Sequence, residues 1–422
     1  MKYALLSASA LAISAASAHA AGLDRSGQSI ASIFATDNTA SLSFGYVMPS
    51  LTGEDIGGPG DYDDSVGENY SVIGLSYTNA VNSAFNYSVI LDQPYGVDID
   101  YGADPTASNL GGTAADLDSN AVTFVGRYRF NENFSVFAGI KAQRVKADVT
   151  LNGQAYTRGF VPSAISAQTF QQPSLENPAP VAFGSDQTPE QIQAALANPN
   201  TLQSQIAAAT QDGIATGGGY NFDMDQNTQP GYLVGAAYEI PDIALRISGT
   251  YQFEIEHTAD YDESVGGTEV NSGEIDYITP ASFNLEFQTG IAPGTLLLAS
   301  YRWTQFSEVD IVPEQLGRDL VNLEDGHRYT LGLGRAFSEE LSGSATIIYE
   351  PKGDDLVSPL GPTNGLWGLS VGGRYTNGNM NISGGLNYSW VGDADAEVGG
   401  NAVASFEDNH AVGIGLRAEV TF

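Results

Sequence analysis

The sequence predicts an all-β fold: a 14-stranded antiparallel transmembrane β-barrel with a short N-terminal luminal hatch and one long, partly helical extracellular loop. Three observations lead there. Apolar and polar residues alternate in segment after segment, tight and long connections take turns, and the final strand ends on an aromatic. In 411–422, Val412, Ile414, Leu416, Ala418, Val420 and Phe422 share one parity, while Gly413, Gly415, Arg417, Glu419 and Thr421 share the other. Successive strand side chains point to opposite faces, so one face is wholly apolar and the other small or charged. A barrel strand in lipid has this pattern, closed by an interfacial aromatic that the barrel-insertion machinery reads.

From the N-terminus, Lys2, the apolar run 3–17 and Ala18-His19-Ala20 read as a secretory signal peptide over residues 1–20. Residues 21–39 are left for the hatch, in which Leu23, Ile30, Ile33 and Phe34 supply apolar side chains. The barrel then occupies 40–422. Its expected strands are 40–50, 69–80, 82–101, 119–131, 133–153, 228–241, 243–261, 275–291, 294–310, 326–338, 341–352, 366–378, 379–392 and 408–422. In 243–255, Leu245, Ile247, Tyr251 and Phe253 oppose Arg246, Ser248, Thr250 and Gln252. An even strand number brings both termini to one side.

The connections at 79–82, 131–133, 241–243, 292–294, 338–341 and 377–379 are polar or Pro/Gly-rich turns. Those at 51–68, 102–118, 154–227, 262–274, 311–325, 353–365 and 393–407 are long. This asymmetry separates a periplasmic from an exterior side. The insertion 154–227 is too long for a bare connection. Thr188-Pro189-Glu190-Gln191 opens a helix through Ala197, and 200–211 forms a second, the pair making a vestibule, a constriction or a solvated receptor-like loop.

Composition excludes several classes. There is no cysteine, hence no disulfide or thiolate chemistry. No apolar run reaches the ~20 residues of a membrane helix, so a membrane is crossed only as a closed barrel. A net charge of −34 excludes nucleic acid as a partner. The acids of the exterior loops attract divalent cations bridging to lipopolysaccharide among the outer-membrane lipids. Gly60-Asp61-Tyr62-Asp63-Asp64 lacks the sixth-position glycine and twelfth-position glutamate of a calcium loop, so no metal site is assigned. His257, His327 and His410 show no nucleophile–base pattern; neither an enzyme nor a cofactor is expected.

Parity turns Arg127, Arg129, Arg246, Arg302, Arg328, Arg374 and Arg417 inward, with Glu254, Glu286, Glu350 and Glu419. A lipid-facing Arg near the midplane costs ~2–4 kcal/mol, which requires this placement. Two readings stand: a lattice bracing the lumen, or a ladder guiding an anionic solute.

Several segments together resemble the FadL family of outer-membrane transporters of long-chain fatty acids and other hydrophobic compounds. Pro94-Tyr95-Gly96 within 91–101 resembles its third-strand signature, and 128–147 its fourth and fifth strands. Thr279-Pro280, Trp303-Thr304-Gln305-Phe306 and His327-Arg328-Tyr329-Thr330-Leu331-Gly332 resemble its eighth to tenth. The resemblance implies an inward kink at Pro94, Tyr95 and Gly96 that opens the wall sideways. It also implies a fifth-strand cation near a bound carboxylate, here Lys146 with Arg144 beside it, and a substrate site reached by Leu23 of the hatch. Parity counted from Ile140 points Lys146 outward unless a bulge intervenes. The family's Asn-Pro-Ala element before the first strand is absent. The expected function is passive transport of hydrophobic molecules, foremost long-chain fatty acids. A polar-solute porin and an adhesin or phage receptor are the alternatives.

Overall fold

The computed structural model describes residues 23–156, 219–354 and 356–422. The expected signal peptide 1–20 and the loop helices within 188–211 lie outside the described residues.

One antiparallel sheet of 17 paired stretches closes on itself. Three of its strands are each interrupted once, so the 17 stretches make 14 wall strands. They are β1 (Thr39–Ser50), β2 (Tyr70–Ala80), β3 (Phe85–Asp92 and Gly96–Asp100), β4 (Ala114–Arg129), β5 (Phe134–Leu151), β6 (Tyr220–Ile240) and β7 (Leu245–Gln252 and Ile255–Val265). There follow β8 (Thr268–Thr279 and Ser282–Ala292), β9 (Thr295–Thr304), β10 (Gly326–Ala336), β11 (Leu341–Glu350), β12 (Leu366–Asn377), β13 (Met380–Val391) and β14 (His410–Thr421). β14 pairs with β1 from Thr39↔Thr421 to Ser50↔His410, which closes the barrel. Phe422 donates its N–H to the Asn38 carbonyl at 3.0 Å and accepts from the Asn38 amide at 3.0 Å, so no backbone edge is left at the seam.

Alternation forms these strands as expected. On β14, Ile414 and Leu416 are exposed outward while Gly413 and Gly415 are buried inward. An aromatic row crosses β9 to β13 through the register partners Tyr301, Tyr329, Tyr349, Trp367 and Trp390. Tyr128, Phe130, Phe134, Tyr238, Phe337 and Phe422 stand exposed near the opposite end. Two aromatic belts flanking an apolar band are the mark of a bilayer-spanning wall.

The tight turns are built as their residues dictate. The Asn82 side chain accepts from the N–H groups of Ala84 and Phe85, Asn131 from those of Asn133 and Phe134, and Ser338 from those of Glu340 and Leu341.

Three expectations about the wall are corrected. The segment 262–274 is not a loop: β7 and β8 run through it and meet at Gly266-Gly267, both at positive φ, a two-residue hairpin turn. Its outward residues include the acids Asp262 and Glu274, which made a ladder standing above the lipid read as a loop. β6 starts at Tyr220, not at residue 228, so most of 220–227 belongs to the wall and not to the insertion. The third strand is not continuous across 82–101 but breaks at Gln93-Pro94-Tyr95.

β4 to β8 thus rise above β9 to β14. Their raised inner faces and the loops enclose an apolar cluster that includes Tyr101, Leu110, Phe222 and Phe406. A separate sheet of Gly53–Asp55, Asp61–Tyr62, Leu356–Val357, Ala394–Val398 and Asn401–Phe406 covers it.

Candidate functional site

The hatch chain from Leu23 to Asn38 folds into the lumen and binds one side of it. Ile30 and Ile33, the latter in the 3₁₀ turn Ala31–Phe34, pack with Ile90, Val125, Phe137 and Leu233 of β3 to β6. The Asp24 carboxylate is paired with the Arg302 guanidinium, which also donates to Asn284 at 3.0 Å; both charges are buried. Gln252 donates to the Gln28 carbonyl at 2.9 Å, Asn284 to that of Gly27 at 3.0 Å and Asn86 to that of Ile33 at 2.8 Å. Each hatch carbonyl so satisfied avoids the cost of a buried orphan acceptor.

The hatch also completes the wall at the break in β3. Asp92 pairs with Ala121 and Gly96 with Asp118, so four steps along β3 oppose three along β4. One residue is extra, which makes the break a β-bulge. It reverses parity: Ser88 and Ile90 face inward below it, Tyr95 and Ile99 above it. The β2–β3 ladder stops at Leu75↔Leu91, while β2 stays paired with β1 as far as Tyr70. The inward-turned edge of β3 binds the hatch instead. Arg25 donates its N–H to the Pro94 carbonyl at 2.9 Å and Gly96 to that of Leu23 at 2.9 Å, about an Asp24↔Tyr95 bridge. On the β2 side, the Ile73 N–H is satisfied by the Gln93 side chain at 2.8 Å. A Cβ on Gly96 would lie 2.6 Å from the Arg25 Nε, so a larger residue here would displace the Arg25 side chain.

Cavities flank the docked segment. Above it lies a vestibule of about 350 Å³. Leu23 forms part of its lining, with Leu117 and Val149 from the wall and Ile311, Leu320 and Leu360 from the loops. Lys352 and His327 also line it, while its carboxylates are engaged: Glu350 with Arg328, Asp325 with Trp303 and Ser307, Glu324 with the Asp354 N–H. A neck of about 50 Å³ shares Val97, Leu360, Gly361 and Thr363 with the vestibule and reaches Arg25. Arg25 also lines a third cavity, of about 150 Å³, at the point where β2 and β3 part. The Arg25 guanidinium binds Asp98 and lies 3.7 Å from the Tyr70 ring centroid. A chamber of about 220 Å³, lined by Arg246, Arg302 and Arg328 together with Phe287, Leu298 and Ile348, lies on the other side of the hatch.

Of the arginine ladder, Arg127 pairs with Glu239, Arg328 with Glu350, and Arg374 and Arg417 share Glu419. The guanidiniums of Arg127 and Arg246 both lie over the Phe34 ring, at 4.5 and 4.3 Å. Arg129 sits at the turn rim near the Ser83 carbonyl, and Glu286 accepts from Ser29. Glu254 departs from expectation, being exposed in the two-residue gap of β7. Lys146 and Arg144 are not in the site either. Alternation on β5 persists through both, because the irregularity there places the extra residue on β6. Lys146 therefore stands on the outer face among Asp116, Asp118 and Asp148, above the lipid. The loop residues Leu320, Leu360 and Lys352 were not singled out from sequence. The signal available was apolar side chains in otherwise exterior loops.

One titratable group in the raised wall yields a pH prediction. His257 is buried against Tyr277 at 5.0 Å between ring centroids, between Asn227 and Thr279, and burial pushes its pKa down to about 4. An unfolded imidazole titrates near 6.5, so between those values the unfolded chain binds more protons and stability falls with acidification. The melting temperature should drop from pH 7 to pH 5, and the His257 contribution to that drop should disappear in His257→Gln. An identical pH slope in the two proteins would refute the assignment.

The family model described as "Outer membrane protein transport protein (OMPP1/FadL/TodX)" matches residues 6–422. A FadL homologue of Pseudomonas aeruginosa superposes with a TM-score of 0.67 at 14% identity, covering 93% of this chain and 92% of that one. The toluene transporter TodX of P. putida gives 0.58 at 13%, covering 93% and 92%, and the toluene transporter TbuX of Ralstonia pickettii 0.57 at 12%, covering 93% and 94%. Comparison with curated proteins returned no match. The chain therefore belongs to the OMPP1/FadL/TodX family, bacterial outer-membrane β-barrels that are channels for hydrophobic compounds.

Proposed function

We propose that this chain conducts long-chain fatty acids and related hydrophobic molecules passively from the exterior and releases them sideways between β2 and β3. The observation that carries the reading is the series vestibule, neck and wall cavity, which runs from an apolar mouth to the place where the β2–β3 ladder ends. A sideways exit keeps an acyl chain out of the aqueous periplasm, where each CH₂ returned to water costs ~0.8 kcal/mol. Lys352 on the vestibule lining gives an amphiphile's acidic head one cation to meet, beside the carboxylates of Glu324 and Asp325. Toluene-sized aromatics, the cargo named for TodX and TbuX, are the second substrate class to test.

The test is the initial uptake rate of labelled oleate and of toluene by cells lacking other such channels. Expression of this chain should raise the oleate rate several-fold in proportion to the gradient. No increase for either compound, or an increase confined to polar solutes, would sink the proposal.

A further inference from the structure

The cavity where β2 and β3 part is amphipathic across the wall. Outward it touches the lipid-facing side chains Phe44, Ile73, Leu75, Leu91 and Leu416, all at least 40% exposed. Inward it is lined by Ser26, Ser29, Ser32, Ser41, Ser43 and Ser76 and by Arg25 and Arg417. Each arginine keeps a buried Nε–H with no hydrogen-bond partner among the described residues. The Arg25 side chain is only 7% exposed although it binds Asp98, and Arg417 shares the single carboxylate of Glu419 with Arg374. Two arginines against one glutamate leave positive charge beside the cavity. Asp92 also lines it, but accepts from Ser26 at 2.7 Å and lies within coulombic reach of Lys141 and Arg302.

We propose that this cavity is a headgroup site for an anionic amphiphile crossing the wall. The carboxylate lies inside, beside Arg417 and among the serine hydroxyls. The tail extends outward over Ile73, Leu75 and Leu416 toward the lipid. A carboxylate lodged inside accepts from the serine hydroxyls and offsets the surplus positive charge at Arg417. A neutral hydrocarbon offers neither. The site therefore holds a carboxylate amphiphile at the wall longer than an uncharged molecule of equal length. This inference rests on the sideways route proposed above and adds the chemistry of its exit.

The full-length protein in lipid nanodiscs is labelled with a photoreactive diazirine fatty acid and, separately, with the fatty alcohol of the same chain, and adducts are mapped by peptide mass spectrometry. Labelling of peptides carrying Ile73, Leu75 and Leu416 should favour the acid roughly tenfold, the worth of one charge-assisted hydrogen bond. That preference should vanish in Arg417→Gln and persist in Arg417→Lys, each assayed on its folded, heat-modifiable fraction. Equal labelling by the two probes, or an unchanged preference in folded Arg417→Gln, overturns the headgroup site and leaves the sideways route standing. Absence of adducts at these peptides with either probe overturns both.

Discussion

Deleting Pro94 should abolish fatty-acid uptake in a barrel that still inserts and melts no lower than the parent. The bulge in β3 exists because four steps on one strand oppose three on the next. Removing one residue equalises the count, lets the Asp92↔Ala121 and Gly96↔Asp118 registers join without a break, and brings the β3 edge back toward Ile73 of β2. Inward side chains on both halves keep their facing, since each half already matches its own register. Replacing Pro94 or Gly96 with valine is a weaker experiment: it restores a donor or adds a side chain but leaves the extra residue in place. Uptake in the deletion variant at the parental rate, with folding verified by heat-modifiable mobility, would show that the exit lies elsewhere.

Arg302→Ala should be the most disruptive single substitution in the hatch region. It leaves the Asp24 carboxylate buried without its partner, a situation that costs about 3–5 kcal/mol. Arg302 also donates to Asn284, whose amide holds the Gly27 carbonyl, so the hatch loses two attachments at once. The expected results are a lowered melting temperature and ion conductance in planar bilayers where the parent shows little. Adding Asp24→Ala should recover part of the stability, because no buried charge then remains. A double variant as unstable as the sum of the two single variants would mean that the pair is not coupled.

Much of this was legible from alternation alone, because lipid enforces it. The terminal strand reads out to its last residue, and the inward facing of Arg302 and Arg328 follows from parity. Their partners do not: Asp24 lies 278 residues from Arg302, and nothing local marks it. The kink at Pro94 and Gly96 was implied by the family resemblance, but its cause, a single uncompensated residue, is a property of two strands in register. Above the lipid the rule lapses. Acids such as Asp262 and Glu274 then face outward, and the ladder through 262–274 looked like a loop for that reason. Leu320 and Leu360 belong to loops with no period, so their meeting over Leu23 is visible only in three dimensions.

The docking of the hatch on β3 bears on the order of biogenesis. The backbone that covers the inward edge at Pro94 and Gly96 comes from Leu23 and Arg25, among the first residues of the described chain to leave the ribosome. Their receptor is complete only when β3, β4 and β9 stand in place. The earlier-made segment must therefore wait for its own wall and fold back into it. Until then, the inward edge of β3 is bare and able to pair with any extended peptide of matching register.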